Sequence, residues 1–258
     1  MLDSLIFSLV IGASVGISAG YLGSLMILEK MALVGDALSH VALPGLALGI
    51  LYHFPPPIGA FAVLFVSAIA VWQLGRMTKL SFETIVGATF TLALAIGILL
   101  LGPGTELLEA LFGNIANVTL LDMVIAVAIS VFAVFLTRAI YKRLVLGMIS
   151  EDLAVSKGIN VAGTNLLYLL LVSLVVAVGL EIVGTLLVGF LVVVPAAAAK
   201  NVSSDLFRYS ILSAVFGAIS AFSGVSLAGY MNLQAGPLVV FSGVALFLAT
   251  AFVKWKRL

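Results

Sequence analysis

The chain has 258 residues, of which 63% are hydrophobic and only 9% charged, with a mean hydropathy of +1.32. Soluble domains carry roughly a quarter charged residues, so this composition excludes an ordinary soluble domain and places the chain in a bilayer. A net charge of +1 with scattered basic residues argues against a nucleic-acid surface, and the absence of cysteine excludes disulfides and Cys-ligated zinc or iron–sulfur centres.

Apolar runs of spanning length follow one another with only short polar breaks. They cover 4–28, 31–53, 57–75, 84–102, 120–141, 165–180, 182–199, 209–228 and 236–253. The first has Asp3 and no basic region ahead of it, so it reads as a retained membrane helix rather than a cleaved signal. In that run Gly12, Gly16 and Gly20 recur every fourth residue and form a stripe on which another helix can approach closely. The sixth and seventh runs are adjacent and can be read as two crossings or as a re-entrant pair. Lys157 precedes them and Lys200 follows them. Pro44 and Pro195 fall inside apolar runs, where each removes a backbone donor and invites a kink.

The basic residues set the expected orientation. With the N-terminus outside and the C-terminus inside, all twelve Lys and Arg fall at cytoplasmic loops or helix ends. The outer segments "YHFPPP", "GPGTELLEALFGNIANVT" and "YMNLQAG" then hold no basic residue. The expected fold is an all-α polytopic membrane protein of about eight or nine transmembrane helices, a single transmembrane domain over 1–258 in the cell (cytoplasmic) membrane.

The second run contains "MALVGDALSHVALPGLALG", residues 31–49. Residues four apart share a helix face, so Asp36, His40 and Pro44 form one polar and kinked stripe. At about 1.5 Å per residue, His40 lies about 15 Å from the basic end at Lys30, near the bilayer midplane. An acid at that depth costs about 2.5 to 3.5 kcal/mol to insert, and such residues usually mark an ion or substrate path. Carboxylate and imidazole together suit a first-row divalent ion such as Zn²⁺ or Mn²⁺. An Asp–His hydrogen bond that merely joins two helices is the competing explanation, and the spacing leaves both open.

The same stretch resembles the signature of the membrane subunits of ABC importers for zinc, manganese and iron(II). Further matches follow in order at "SEDLAVSKGI" (150–159), "IVGTLLVGFLVVVPAAAAK" (182–200) and "AGPLVV" (235–240), so the likeness spans nearly the whole chain. It implies a type II-like permease that forms the translocation path as a homodimer. The implied partners are two cytoplasmic ATPase subunits and an extracytoplasmic metal-binding protein. Asp36 and His40 would lie on the metal path, the divalent ion being cargo and no cofactor being permanently bound.

The expected cytoplasmic loop 142–164 holds a short helix on independent grounds. Ser150 is a cap, Glu151 and Asp152 suit the first turn, Lys157 suits the end and Gly158 stops it. Such a helix would offer Leu153 and Val155 to a partner, and the resemblance implies that it is the coupling helix docking into the ATPase. An ordinary surface helix has the same pattern. Glu181 at the end of the sixth run is either solvated or at the outer mouth of the path, while His53 on the outer rim needs no function. The outer acids Asp3, Glu106 and Glu109 fit either a solvated loop or a basic docking partner.

Absent motifs separate the remaining classes. No GxxxxGK[ST] is present, so any ATP drive must come from another chain, and no HExxH supports a metalloprotease. Ser39 and His40 are adjacent and point about 100° apart on a helix, which defeats serine chemistry between them. The chain is therefore expected to be a transporter and not an enzyme. Two transport alternatives stand beside the metal-ion importer. One is a permease for a metal chelate such as haem, cobalamin or a siderophore, which would not need the midplane pair. The other is a self-sufficient secondary metal carrier, which should show inverted repeats that the sequence lacks.

Overall fold

The first helix, α1 (Leu2–Leu28), is long enough to run the full depth of a bilayer and packs most extensively against the helix at 206–231. In the computed structural model, which describes residues 2–78, 80–101 and 118–256, the described elements are all helices. They are α2 (Ala32–Val41), α3 (Leu43–Leu51), α4 (Pro56–Met77), α5 (Phe82–Leu101), α6 (Leu120–Ile149), α7 (Glu151–Ser156), α8 (Val161–Val183), α9 (Thr185–Val202), α10 (Leu206–Met231) and α11 (Ala235–Trp255). Lys79, Arg257 and the outer acids Glu106 and Glu109 lie outside the described residues.

Boundaries follow local chemistry. Between α1 and α2 the chain reverses through Lys30 in the left-handed region at φ 60°, and after α3 it reverses through His53 at φ 58°. Pro56 then opens α4, at a position where the missing N–H would have had no partner. Thr119 and Asp122 close a capping box at the start of α6, the Thr119 N–H donating to Asp122 Oδ2 at 2.9 Å. Asn160 caps α8 by accepting from the Gly163 N–H at 2.9 Å.

Side-by-side contacts give the direction of each helix. Gly12 faces Ala221 and Val225, Gly16 faces Gly217 and Gly20 faces Ser213, so α1 and α10 are antiparallel. A Cβ at Gly16 or Gly20 would collide with the backbone opposite, which is why the stripe is glycine. α8 is also antiparallel to α1, with the Tyr168 hydroxyl donating to Leu22 O at 2.6 Å and Gly179 against Val15. α3 and α4 cross at Gly45 and Gly59 with Gly49 against Pro56, again antiparallel. The Trp72 indole donates to Ala162 O at 2.8 Å and ties the end of α4 to the start of α8.

The run expected over 165–199 resolves as a helical hairpin. Gly184 joins α8 to α9 at φ 80°, ψ 166°, a conformation that favours glycine. α9 then returns beside α11, with Phe190 near Gly243 and Asn201 donating to Thr250 Oγ1 at 3.4 Å. Among the described residues eight segments are long and apolar enough to cross a membrane, and α9 adds the shorter apolar stretch Val188–Val202. Lys157 and Lys200 thereby fall on the same face, together with the ends of α1, α4, α6, α10 and α11 that carry the other described basic residues.

One boundary differs from the sequence expectation. α6 continues to Ile149 instead of ending near 141, because a helix satisfies its own backbone bonds and Lys142 and Arg143 can leave the bilayer without breaking it. The expected loop of 142–164 is therefore mostly helix. α9 runs unbroken through Pro195, whereas the segment around Pro44 breaks at Ala42.

Candidate functional site

The run 31–53 divides into two helices around Ala42, with Pro44 in the first turn of α3. Proline cannot donate its backbone nitrogen to the carbonyl four residues back, so the break falls just after His40. Asp36 and His40 lie one turn apart in α2, about 6 Å of rise. Asp36 is exposed while its neighbours Gly35, Ala37, Leu38 and Ser39 are buried, and His40 is half-buried.

No hydrogen bond joins Asp36 to His40 among the described residues. The His40 Nδ1 is enclosed and has no partner, and the ring meets Phe90 of α5 edge-on at 5.2 Å. The His40 Nδ1 thus has no hydrogen bond inside the fold, where most buried polar groups have one. On the other side Gly189 of α9 presses its backbone against Asp36, where a Cβ would collide with the Asp36 backbone and lie 2.9 Å from Oδ1. Phe90 and Gly189 thus shape the site without supplying a ligand. Gly189 stands inside the third matching stretch, but its contact with Asp36 is a tertiary fact.

Among the described residues no group of three or more His, Cys, Asp or Glu side chains converges on one point. One copy of the chain offers the two donors Asp36 and His40, fewer than the four a first-row ion usually takes.

On the basic face Ser150 ends α6 and starts α7, its hydroxyl accepting from the Leu153 N–H at 3.2 Å. Glu151 and Asp152 occupy the first turn, Ala154 faces inward, and Leu153 and Val155 are 50% and 59% exposed. Gly158 ends the element at φ 75°. Glu181 lies in the last turn of α8.

Glu29 stands just beyond the end of α1, and nothing in the sequence beside Lys30 marks it. It lines a cavity of about 480 Å³ together with Lys30, Arg76, Glu151, Asn165 and Tyr168. Its Oε2 is enclosed without a partner, and burial pushes the carboxyl up to about 7.

Residues 1–254 match the family described as the ABC 3 transport family. The chain belongs to that family. It is 30% identical over 253 residues to the manganese import system permease protein ScaB of Streptococcus parasanguinis, covering 97% of this chain and 90% of that protein. It is 27% identical to the high-affinity zinc uptake system membrane protein ZnuB of Buchnera aphidicola, covering 98% and 99%. Among solved structures, PsaBC from Streptococcus pneumoniae in complex with Fab is similar at a TM-score of 0.83 and 31% identity, covering 97% of this chain and 95% of that one. The chain is thus a multi-pass membrane permease of the ABC transporter class.

Proposed function

We propose that this permease imports divalent first-row metal ions, Zn²⁺, Mn²⁺ or Fe²⁺, and that Asp36 and His40 form the intramembrane part of the path. The observation that carries the reading is the unpartnered His40 Nδ1 one turn from an exposed Asp36 at a helix break. An anionic oxygen offsets the charge of a dehydrated dication, and the imidazole adds a borderline nitrogen donor. With two donors per copy the site stays incomplete, so a second copy would bring the matching pair. A site assembled between copies can be opened by their relative motion, and permanent tight ligation would prevent release. The drive would come from cytoplasmic ATPases docked on α7 through Leu153 and Val155, the ion being delivered by an extracytoplasmic binding protein. Relatives named for manganese and zinc favour the free ion over a chelate.

Uptake into proteoliposomes that contain the ATPase and are supplied with the binding protein tests this. Asp36→Asn and His40→Ala should lower uptake per assembled complex more than tenfold, with thermal stability within about 1 kcal/mol of wild type. Wild-type uptake in both assembled variants would remove the pair from the path. Uptake that survives disabling the ATPase would instead favour a secondary carrier.

The one-sided basic residues support a cytoplasmic location for the face with α7. The chain lacks cysteine, so single cysteines report directly. Ser156→Cys should react with an impermeant reagent only from inside and Asn232→Cys from outside. The opposite pattern would invert the orientation.

A further inference from the structure

A second cavity, of about 310 Å³, opens between α1, α6 and α10 toward the basic face. Its polar lining is Tyr21, Arg138, Tyr141, Lys142 and Ser210, two cations and three hydroxyls with no carboxylate. Neither cation is in an ion pair among the described residues. The acid at the start of α10, Asp205, is held by Arg208 at 3.3 Å. The Tyr141 hydroxyl lies 3.4 Å from both Leu206 O and Ser210 Oγ, near the outer limit of a hydrogen bond, so a better partner would displace little.

Depth and surroundings identify the occupant. From Leu120, Arg138 is about 27 Å along the axis of α6 and Lys142 about 33 Å. With Leu120 taken as the outer edge, a hydrocarbon core about 30 Å thick ends between them. One and two turns deeper on the same face of α6, Phe135 and Val131 are 71% and 63% exposed. On α10 the exposed Phe207, Ile211 and Val215 likewise run from the cavity into the bilayer. A cationic, hydroxyl-lined cup at headgroup level continues into a bare apolar groove.

We propose that this cavity seats the phosphate headgroup of an anionic phospholipid, paired to Arg138 and Lys142, with its acyl chains along Phe135 and Ile211. A free anion would use the cup but not the groove. The headgroup would hold α1, α6 and α10 together at the face from which α7 projects, making the lipid a structural ligand.

Native mass spectrometry of the purified permease–ATPase complex, titrated with phosphatidylglycerol or phosphatidylcholine, tests the assignment. Wild type should retain phosphatidylglycerol in preference to phosphatidylcholine. The double variant Arg138→Gln/Lys142→Gln should bind it about thirtyfold more weakly, about fivefold for each charge removed near a membrane surface. Both residues are exposed, so unfolding curves in phosphatidylcholine should match wild type. The control Lys254→Gln/Lys256→Gln, at the same face on α11, should keep the preference. Equal retention by Arg138→Gln/Lys142→Gln and wild type would overturn the proposal. Displacement of the lipid by inorganic phosphate alone would assign the cup to a free anion, and dissociation of subunits with unchanged lipid binding would make this face a subunit contact. Either result would also overturn it.

Discussion

Along α1, Gly12, Gly16 and Gly20 let α10 approach until backbone meets backbone, and the serines of the seam are satisfied. Ser18 donates to Val15 O at 3.0 Å, Ser24 to Ser210 Oγ at 3.0 Å and Ser213 to Tyr209 O at 2.7 Å. Along α2, Gly35 and Gly189 also permit close approach, and Ser39 donates to Gly35 O at 3.0 Å. There the resemblance stops, because Asp36 faces outward and the His40 Nδ1 has no partner. In a bilayer no hydrophobic effect separates helix from lipid, so close packing and finished polar groups hold helices together. Unfinished polar groups cost stability, so the two regions differ in what holds them together.

The sharpest way to break the comparison is to enlarge the seam. Gly16→Leu would drive a side chain into the Gly217 backbone, where no flexible atom can yield, and should cost at least about 3 kcal/mol and the yield of folded protein. Gly87 has nothing within 4 Å of a Cβ, so Gly87→Ala should stay within about 0.5 kcal/mol. Detergent-solubilised thermal unfolding measures both. A folded, stable Gly16→Leu protein would show that the seam is looser than its geometry.

An intermediate effect belongs to Glu29, at the joint between the two regions. The folded protein holds its proton more tightly than the unfolded chain, because the buried carboxyl titrates at about 7 and the ordinary one near 4.5. The contribution of Glu29 to stability therefore falls as pH rises through that window and is constant above it. Glu29→Gln should match wild type at pH 4 and exceed it by up to about 3 kcal/mol at pH 8. A difference independent of pH would mean that the carboxylate finds a cationic partner, with Arg76 and Lys30 the candidates in the same cavity.

The smallest effect on the permease itself is expected at α7. Leu153→Asp changes an exposed side chain and should leave the unfolding temperature unaltered, within about 0.5 kcal/mol. Co-purification of the ATPase should nevertheless be lost, because a charge would replace an apolar contact. Retained ATPase binding and transport would show that the drive enters elsewhere.

Much was legible before any coordinates. Hydropathy and the lysines and arginines are local quantities summed over a segment, so they fixed the number and alternation of the legs within one. The cap Ser150 acts over a single turn, so the start of α7 was readable, while the helix ends at Ser156, ahead of Gly158. The pairing of Asp36 with His40 followed from helical spacing alone. Periodicity could not show whether the two were bonded to each other, because a bond depends on rotamers and on which helix lies alongside.

Tertiary structure decided what depends on neighbours distant in sequence. Gly184 reads as one more glycine in an apolar run, yet it joins two antiparallel legs because α1 and α11 hold them in place. Beyond its expected end α6 lies against α8, where Gly147 meets Val161, a contact that hydropathy does not weigh. Glu29 is an acid next to a lysine in sequence and a buried, unpartnered carboxyl in space, since α4, α6 and α8 close around it. Sequence by itself determined the solvent, the legs and which polar residues stand inside apolar runs, because each is written in composition or in a period of a few residues. Only the packed fold decided which of those residues are satisfied and which stay open, because satisfaction is a property of the surroundings and not of the residue.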